Sequence, residues 1–197
     1  MFSVLFPGQG SQEVGMARDL YDKFDYVKEI FNEAEDVLNF SIKKLIFDGP
    51  KDLLNETENT QPAIFLVSYA IFMVIKKESK FDITSANFFA GHSLGEYSAL
   101  ACSEVINFQN TIKLLKIRGK AMQNAIPKNQ GGMIAVLGED INSINNIIED
   151  NKNDFNCFLA NDNSKGQVVI SGKIKDLEKF KDKIEKLNIK NIRLPVS

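Results

Sequence analysis

The sequence predicts an α/β protein in two parts, and three observations carry that expectation. Two short apolar segments, Ser3 to Phe6 and Asn87 to Ala90, each run into a glycine-containing turn, as strands do where they leave a sheet. Helical spacing of apolar residues fills much of the chain from residue 17 to residue 124. After Pro127 the segments follow the order β-α-β-β-α-β, the split arrangement of a ferredoxin-like domain. The division is placed near residue 126.

Taken in order, Ser3 to Phe6 reads as a short buried strand closed by the turn Pro7-Gly8-Gln9-Gly10. Leu20, Phe24, Val27, Phe31, Ala34 and Leu38 recur at helical spacing, which predicts helix over 17 to 38, in one or two pieces. Thr60 is the expected N-cap of the next helix, with Pro62 in its first turn. That helix runs to about Lys77, is apolar nearly all round, and is therefore expected at the centre. Leu94 to Glu104 reads as a helix, and Asn107 as the cap of another that reaches about Asn124. In the second part, Gly131 to Gly138 reads as a strand and Ile141 to Glu149 as a helix. Phe155 to Ala160 and Gln167 to Ser171 read as strands joined by the polar turn "NDNSKG". Ile174 to Leu187 is amphipathic, with Leu177, Phe180, Ile184 and Leu187 on one face, and Ile189 to Val196 is the last strand.

Composition narrows the function classes. The 197 residues carry a net charge of −2, with no basic excess that would suggest nucleic acid. The longest apolar run, Ala63 to Ile75, falls short of the roughly 20 residues a bilayer requires and contains Ser68 and Tyr69, so no membrane association is expected. Cys102 and Cys157 form no metal or redox spacing, which suits a reducing cytoplasm. The N-terminus lacks the basic segment and cleavage site of a signal peptide.

The stretch "FFAGHSLGEYSAL" (88–100) places Ser93 between Gly91 and Gly95. A G-x-S-x-G motif carries meaning only between a strand and a helix, and both flanks fit here. The helix beginning at Leu94 aims free N–H groups and a positive dipole end at the serine, favouring developing negative charge. Ser93 is the candidate nucleophile. His92, the only histidine, is adjacent to it. A base must come within about 3 Å of the hydroxyl, and neighbouring residues in a tight turn project differently, so His92 is read as structural or as lining a pocket.

"FPGQGSQ" (6–12) is neither a phosphate loop nor a dinucleotide fingerprint, since no G-K-[ST] follows and Glu13 stands where a third glycine belongs. Such a turn can present backbone N–H groups to an oxyanion, or can be only a turn. Arg118 lies at helical spacing within about 40° of Thr111, Leu114, Met122 and Ala125. It is therefore expected in mid-stripe, with no acid at i±3 or i±4. A buried guanidinium needs a partner, which leaves two readings open: a distant acid, or an anionic substrate that its fork can grip.

Together "FPGQGSQ" (6–12), "TQPA" (60–63), "GHSLGEYSAL" (91–100), "RGKAMQ" (118–123), "NSKGQVVISG" (163–172) and "LPVS" (194–197) resemble the malonyl-CoA:acyl carrier protein transacylases of fatty acid synthesis. The resemblance implies an α/β-hydrolase-like large subdomain (1–126) and an inserted ferredoxin-like small subdomain (127–193). The chain would return to the large subdomain at 194–197. It implies that Ser93 attacks the thioester of malonyl-CoA, that the N–H groups of Gln9 and Leu94 form the oxyanion hole, and that Arg118 grips the malonyl carboxylate. Gln61, His92, Asn161 and Asn163 would lie near the pocket. The malonyl group would then pass to the phosphopantetheine thiol of acyl carrier protein, without metal or cofactor. The family's catalytic histidine lies a few residues beyond "LPVS", so the chain is expected to be a fragment or a degenerate short protein. It is expected to be impaired alone and to expose apolar surface. Lys165 departs from the proline common in the family's "NSPGQ" turn.

Three rivals are carried forward: a serine thioesterase or esterase with no need of Arg118, a polyketide-type acyltransferase, and a remnant that only binds acyl carrier protein or CoA. An acidic carrier protein would suit Lys173, Lys175, Lys179, Lys181, Lys183 and Lys186. Asp176, Glu178, Asp182 and Glu185 interleave with them, however, as on any solvated face.

Overall fold

In the computed structural model, which describes residues 1–127 and 130–194, the chain forms two units, Met1–Gln123 and Asn124–Ser197. In the first unit strand β1 (Ser3–Phe6) lies parallel to β2 (Phe88–Gly91), with Phe6 opposite Gly91. Between them come α1 (Arg18–Lys23), α2 (Asp25–Leu38), α3 (Ile42–Asp48), α4 (Lys51–Leu54) and α5 (Thr57–Glu78). Two further helices, α6 (Gly95–Cys102) and α7 (Phe108–Asn124), follow β2.

The core of this unit is built from helices. Val27, Phe31 and Ala34 of α2 face Ile42, Leu45 and Ile46 of α3, Phe65 and Leu66 of α5, and Ile112 and Leu115 of α7. Full burial of each large side chain contributes about 1.5–3 kcal/mol, so a helix with several such residues is held by packing rather than by propensity. The expected break within 17 to 38 falls at Phe24. Asn107 caps α7 as expected, its Oδ1 accepting from Asn110 N at 2.8 Å.

Several expectations need correction. β1 is not a buried strand: only Phe6 is buried, and Leu5 is 74% exposed. The reason is topological, because among the described residues its sheet has only two strands, and Leu5 and Phe88 have no layer over them. Thr60 is not a cap. Helix α5 begins a turn earlier, at Thr57, and the Thr60 hydroxyl instead donates to the carbonyl of Leu54 at 2.6 Å. Pro62 therefore stands inside the helix, leaving the carbonyl one turn back without its usual donor. Helices α3 and α4 were not foreseen. Helix α5 is long and apolar enough to cross a membrane, yet 67% of its most apolar window is buried within the protein.

In the second unit β3 (Gly131–Leu137), α8 (Ile141–Asp150), β4 (Cys157–Ser164), β5 (Gln167–Lys173), α9 (Ile174–Lys186) and β6 (Lys190–Leu194) follow in the predicted order. The sheet runs β4-β5-β3-β6, with every neighbouring pair antiparallel. Ile144 and Ile148 of α8 and Leu177, Phe180 and Ile184 of α9 pack on Ile134, Val136, Val168 and Ile170. The expected "NDNSKG" loop is a tighter hairpin. β4 extends to Ser164, which pairs with Gln167, leaving Lys165 and Gly166 to turn the chain. Gly166, at φ 92, supplies the left-handed residue such a turn requires. Of the "LPVS" segment, residues 195–197 lie outside the described residues.

Candidate active site

Ser93 sits at the sharp turn between β2 and α6. Its φ of 55 lies in the left-handed region, a strained conformation for a residue with a side chain. The turn closes because its flanking positions lack side chains. A Cβ on Gly91 would overlap the carbonyl group of Gly95, and a Cβ on Gly95 would stand 2.5 Å from the carbonyl oxygen of Phe6. Gly95 N donates to His92 O at 3.0 Å and His92 N to Phe6 O at 3.1 Å, pinning the turn to the end of β1. The result is an exposed serine lifted above the strand ends, at the start of a helix.

The "FPGQGSQ" segment is tied beside it. Ser11 Oγ donates to Gly8 O at 2.9 Å, and Gly10 N donates to Gln12 Oε1 at 2.8 Å. The Gln9 side chain reaches the start of α5, its Nε2 donating to Thr57 Oγ1 at 3.3 Å. Among the described residues neither the Gln9 nor the Leu94 backbone N–H donates to a protein acceptor. The His92 ring lies against Gly8, where a Cβ would come within 2.6 Å of Nδ1.

Arg118 completes the arrangement. Its Nη2 donates to Ser93 Oγ at 3.0 Å and its Nη1 to Gln61 Oε1 at 2.7 Å. The guanidinium carbon stands 5.8 Å from the centroid of the Tyr97 ring, one turn beyond Ser93 on α6. Among the described residues Arg118 pairs with no carboxylate, and its guanidinium is the only hydrogen-bond partner of Ser93 Oγ. The expected position of Arg118 in mid-stripe is corrected. The buried face of α7 is Phe108, Thr111, Ile112, Leu115 and Gly119, while Leu114 and Met122 are 43% and 46% exposed. Arg118 therefore stands at the border of that face, half-buried, where a charge is tolerable.

Two elements bring Arg118 to Gln61. At Gly119 the α7 backbone runs against the first turn of α5, and a Cβ there would stand 2.7 Å from Glu58 Cα and Thr57 O. Polar contacts flank the crossing: Lys116 Nζ donates to Asn59 Oδ1 at 2.9 Å, and Glu58 N donates to Gln123 Oε1 at 3.3 Å. Gln61 is 1% exposed, and its Nε2 lies 3.2 Å from Met122 Sδ.

The structure thus brings together Ser93, Arg118 and Gln61. Asn161 and Asn163 stand on β4 of the second unit, where Asn163 Nδ2 donates to Gln167 Oε1 across the hairpin at 3.1 Å. Tyr97 and Met122 were missed by sequence reasoning. Their signal was helical spacing, since Tyr97 is four residues beyond Ser93 and Met122 four beyond Arg118.

A strained serine between two close-packed glycines, at a helix start and facing an arginine that pairs with no carboxylate among the described residues, has the geometry of a nucleophile elbow. The chain belongs to the acyl transferase domain family, whose model matches residues 4–196. Within that class it is similar to the malonyl CoA-acyl carrier protein transacylase of Haemophilus influenzae, with 45% identity over 171 residues, 87% of this chain and 54% of the relative. The solved transacylase of Clostridium perfringens superposes with a TM-score of 0.89 at 41% identity, covering 100% of this chain and 61% of that one. A malonyl-transacylase solved in complex with its type II PKS acyl-carrier protein superposes equally, at TM-score 0.89 and 40% identity, covering 100% of this chain and 63% of that one. The chain spans between half and two thirds of the length of these relatives.

Proposed function

We propose that this chain carries the malonyl-binding and nucleophilic centre of a malonyl-CoA:acyl carrier protein transacylase of fatty acid synthesis. The observation that carries the reading is the guanidinium of Arg118, held between Gln61 and Ser93 with no carboxylate among the described residues. A malonyl carboxylate supplies the missing anion, and the fork of arginine suits it. With the carboxylate there, the thioester carbon lies close to Ser93 Oγ.

Ser93 Oγ bonds to that carbon and its proton passes to a base, which the family resemblance identifies as a histidine beyond "LPVS". The negative charge gathers on the carbonyl oxygen, where the N–H groups of Gln9 and Leu94, which donate to no protein acceptor among the described residues, form the oxyanion hole. The C–S bond breaks and CoA leaves as the thiol. The phosphopantetheine thiol of acyl carrier protein then attacks malonyl-serine, Ser93 regains its proton, and the product is a malonyl thioester. By the family resemblance His92 is assigned to the pocket wall beside Ser93. No cofactor takes part in either half-reaction.

The α/β-hydrolase-like subdomain with a ferredoxin-like insertion, divided at 1–126, 127–193 and 194–197, belongs to the same proposal. Its support is the parallel β1–β2 pair leading into the serine turn, and the sheet order β4-β5-β3-β6 with two helices on one face. A cytoplasmic setting is also proposed, and two free, buried cysteines suit it.

Arg118→Ala tests the reading against a hydrolase. The transacylase loses malonyl transfer to acyl carrier protein by roughly ten- to a hundredfold, the worth of a charge-assisted hydrogen-bonded contact, while acetyl transfer is retained. A thioesterase or esterase loses neither, and releases acyl group to water whether or not carrier protein is present.

A further inference from the structure

Gln61 steadies Arg118, but the proposed reaction gives no role to whatever steadies Gln61. Its amide is 1% exposed and must find its partners inside the protein. Arginine offers donors only, so the amide oxygen has to face Arg118, as it does at 2.7 Å. The –NH2 end is thereby turned the other way. There the described residues offer it one acceptor, the thioether of Met122 at 3.2 Å.

We infer that Met122 is a positioning residue for acyl-group selection: its sulfur fixes the orientation of the Gln61 amide, and through it the Arg118 fork that reads the carboxylate. The inference rests on the assignment of Ser93 and Arg118 made above. Geometry supports it in two ways. Met122 is four residues beyond Arg118, so both project from one side of α7, and Gln61 closes the triangle from α5. The close approach at Gly119 keeps the two helices at the spacing that a single glutamine can bridge. With the acceptor removed, a buried N–H is left unsatisfied. The amide then rotates to seek a partner, its oxygen leaves Arg118, and the guanidinium keeps only its bond to Ser93. The damage falls on carboxylate recognition rather than on attack at the thioester.

The test compares Met122→Leu, which keeps apolar bulk but loses the acceptor, with Met122→Gln, which keeps the length and supplies a carbonyl acceptor. Met122 is 46% exposed, so neither change disturbs the core. Rates of Ser93 acylation by malonyl-CoA and acetyl-CoA are followed by intact mass. Met122→Leu raises KM for malonyl-CoA on the order of three- to tenfold, the worth of one neutral hydrogen bond. Its kcat and the acetyl rate stay within about twofold of wild type. Met122→Gln restores KM. Gln61→Leu reproduces the malonyl-specific loss, and adding Met122→Leu to it costs nothing further.

Three results overturn the inference: Met122→Leu behaving as wild type, the two Met122 variants failing together, or both acyl groups losing equally. If the wild-type protein itself shows no malonyl preference at Ser93, the site assignment fails and the inference falls with it. That pattern is distinguishable because the fault then lies in the wild type.

Discussion

Ser93 is held at φ 55 by its neighbours, and in the proposed reaction that strain serves its role as nucleophile. A residue with a Cβ in the left-handed region costs about 1–2 kcal/mol relative to glycine. Ser93→Gly is therefore expected to abolish acylation while raising stability by about 1 kcal/mol, and Ser93→Ala to abolish acylation with little change in stability. Denaturant midpoints measured beside acylation rates check both. The cysteines make a second case at this scale. Burial pushes the thiols of Cys102 and Cys157 up from 9.0 to about 12, so the folded protein resists alkylation up to about pH 9 and denaturation exposes both. The unfolded chain releases these protons near pH 9.0 and the folded chain near 12, so their contribution is intact below pH 9 and is lost as pH rises through that window. A urea titration series across that range shows a falling midpoint, and a cysteine-free variant falls less.

Among the elements, the α5–α7 crossing does most to make a site out of separate residues. Gly119 lies inside a helix, where alanine would ordinarily add about 1 kcal/mol of stability. Here the added Cβ meets backbone atoms of Glu58 and Thr57 at 2.7 Å, and backbone cannot step aside as a side chain can. Overpacking, about 1–3 kcal/mol, wins. Gly119→Ala is expected to lower stability and to weaken malonyl acylation more than acetyl acylation, because it parts Arg118 from Gln61. A stabilised variant with unchanged selectivity would contradict this. The same crossing shows where the sequence was legible. Strand, glycine turn and helix around Ser93 could be read because each glycine is required locally. The stripe of α7 was misjudged by about one residue position on the helix, because apolar spacing alone does not reveal that Leu114 and Met122 face solvent. The start of α5 was misplaced because Thr60 and Pro62 imitate a first turn, while the true start depends on packing against residues distant in sequence. Helices α3 and α4 are too short for periodicity to register.

At the scale of the molecule, the β-α-β-β-α-β order of the second unit was legible because alternating strands and one-sided helices leave strong periodic signals. The strand order was not, since it depends on pairings between distant segments. The sequence also identified Ser93 and Arg118 as candidates without showing that they touch, a fact only the fold supplies. In the first unit an apolar cavity of about 380 Å³ is lined by Leu5, Phe6, Ile64, Val67, Ile71 and Phe72, among others. Leu5 and Ile71 are 74% and 41% exposed. A face of this kind binds apolar dyes and promotes association, so the 197-residue chain is expected to show concentration-dependent sedimentation and dye fluorescence. A compact monomer that binds no dye would speak against it. The central claim, that Ser93 is a nucleophile whose acyl group is chosen by Arg118, is tested most directly by mass. The protein is incubated with malonyl-CoA or acetyl-CoA and analysed intact and as peptides. One malonyl group on Ser93, absent from Ser93→Ala and far scarcer from acetyl-CoA, is the predicted result. No adduct, an adduct elsewhere, or equal labelling by the two thioesters contradicts the account.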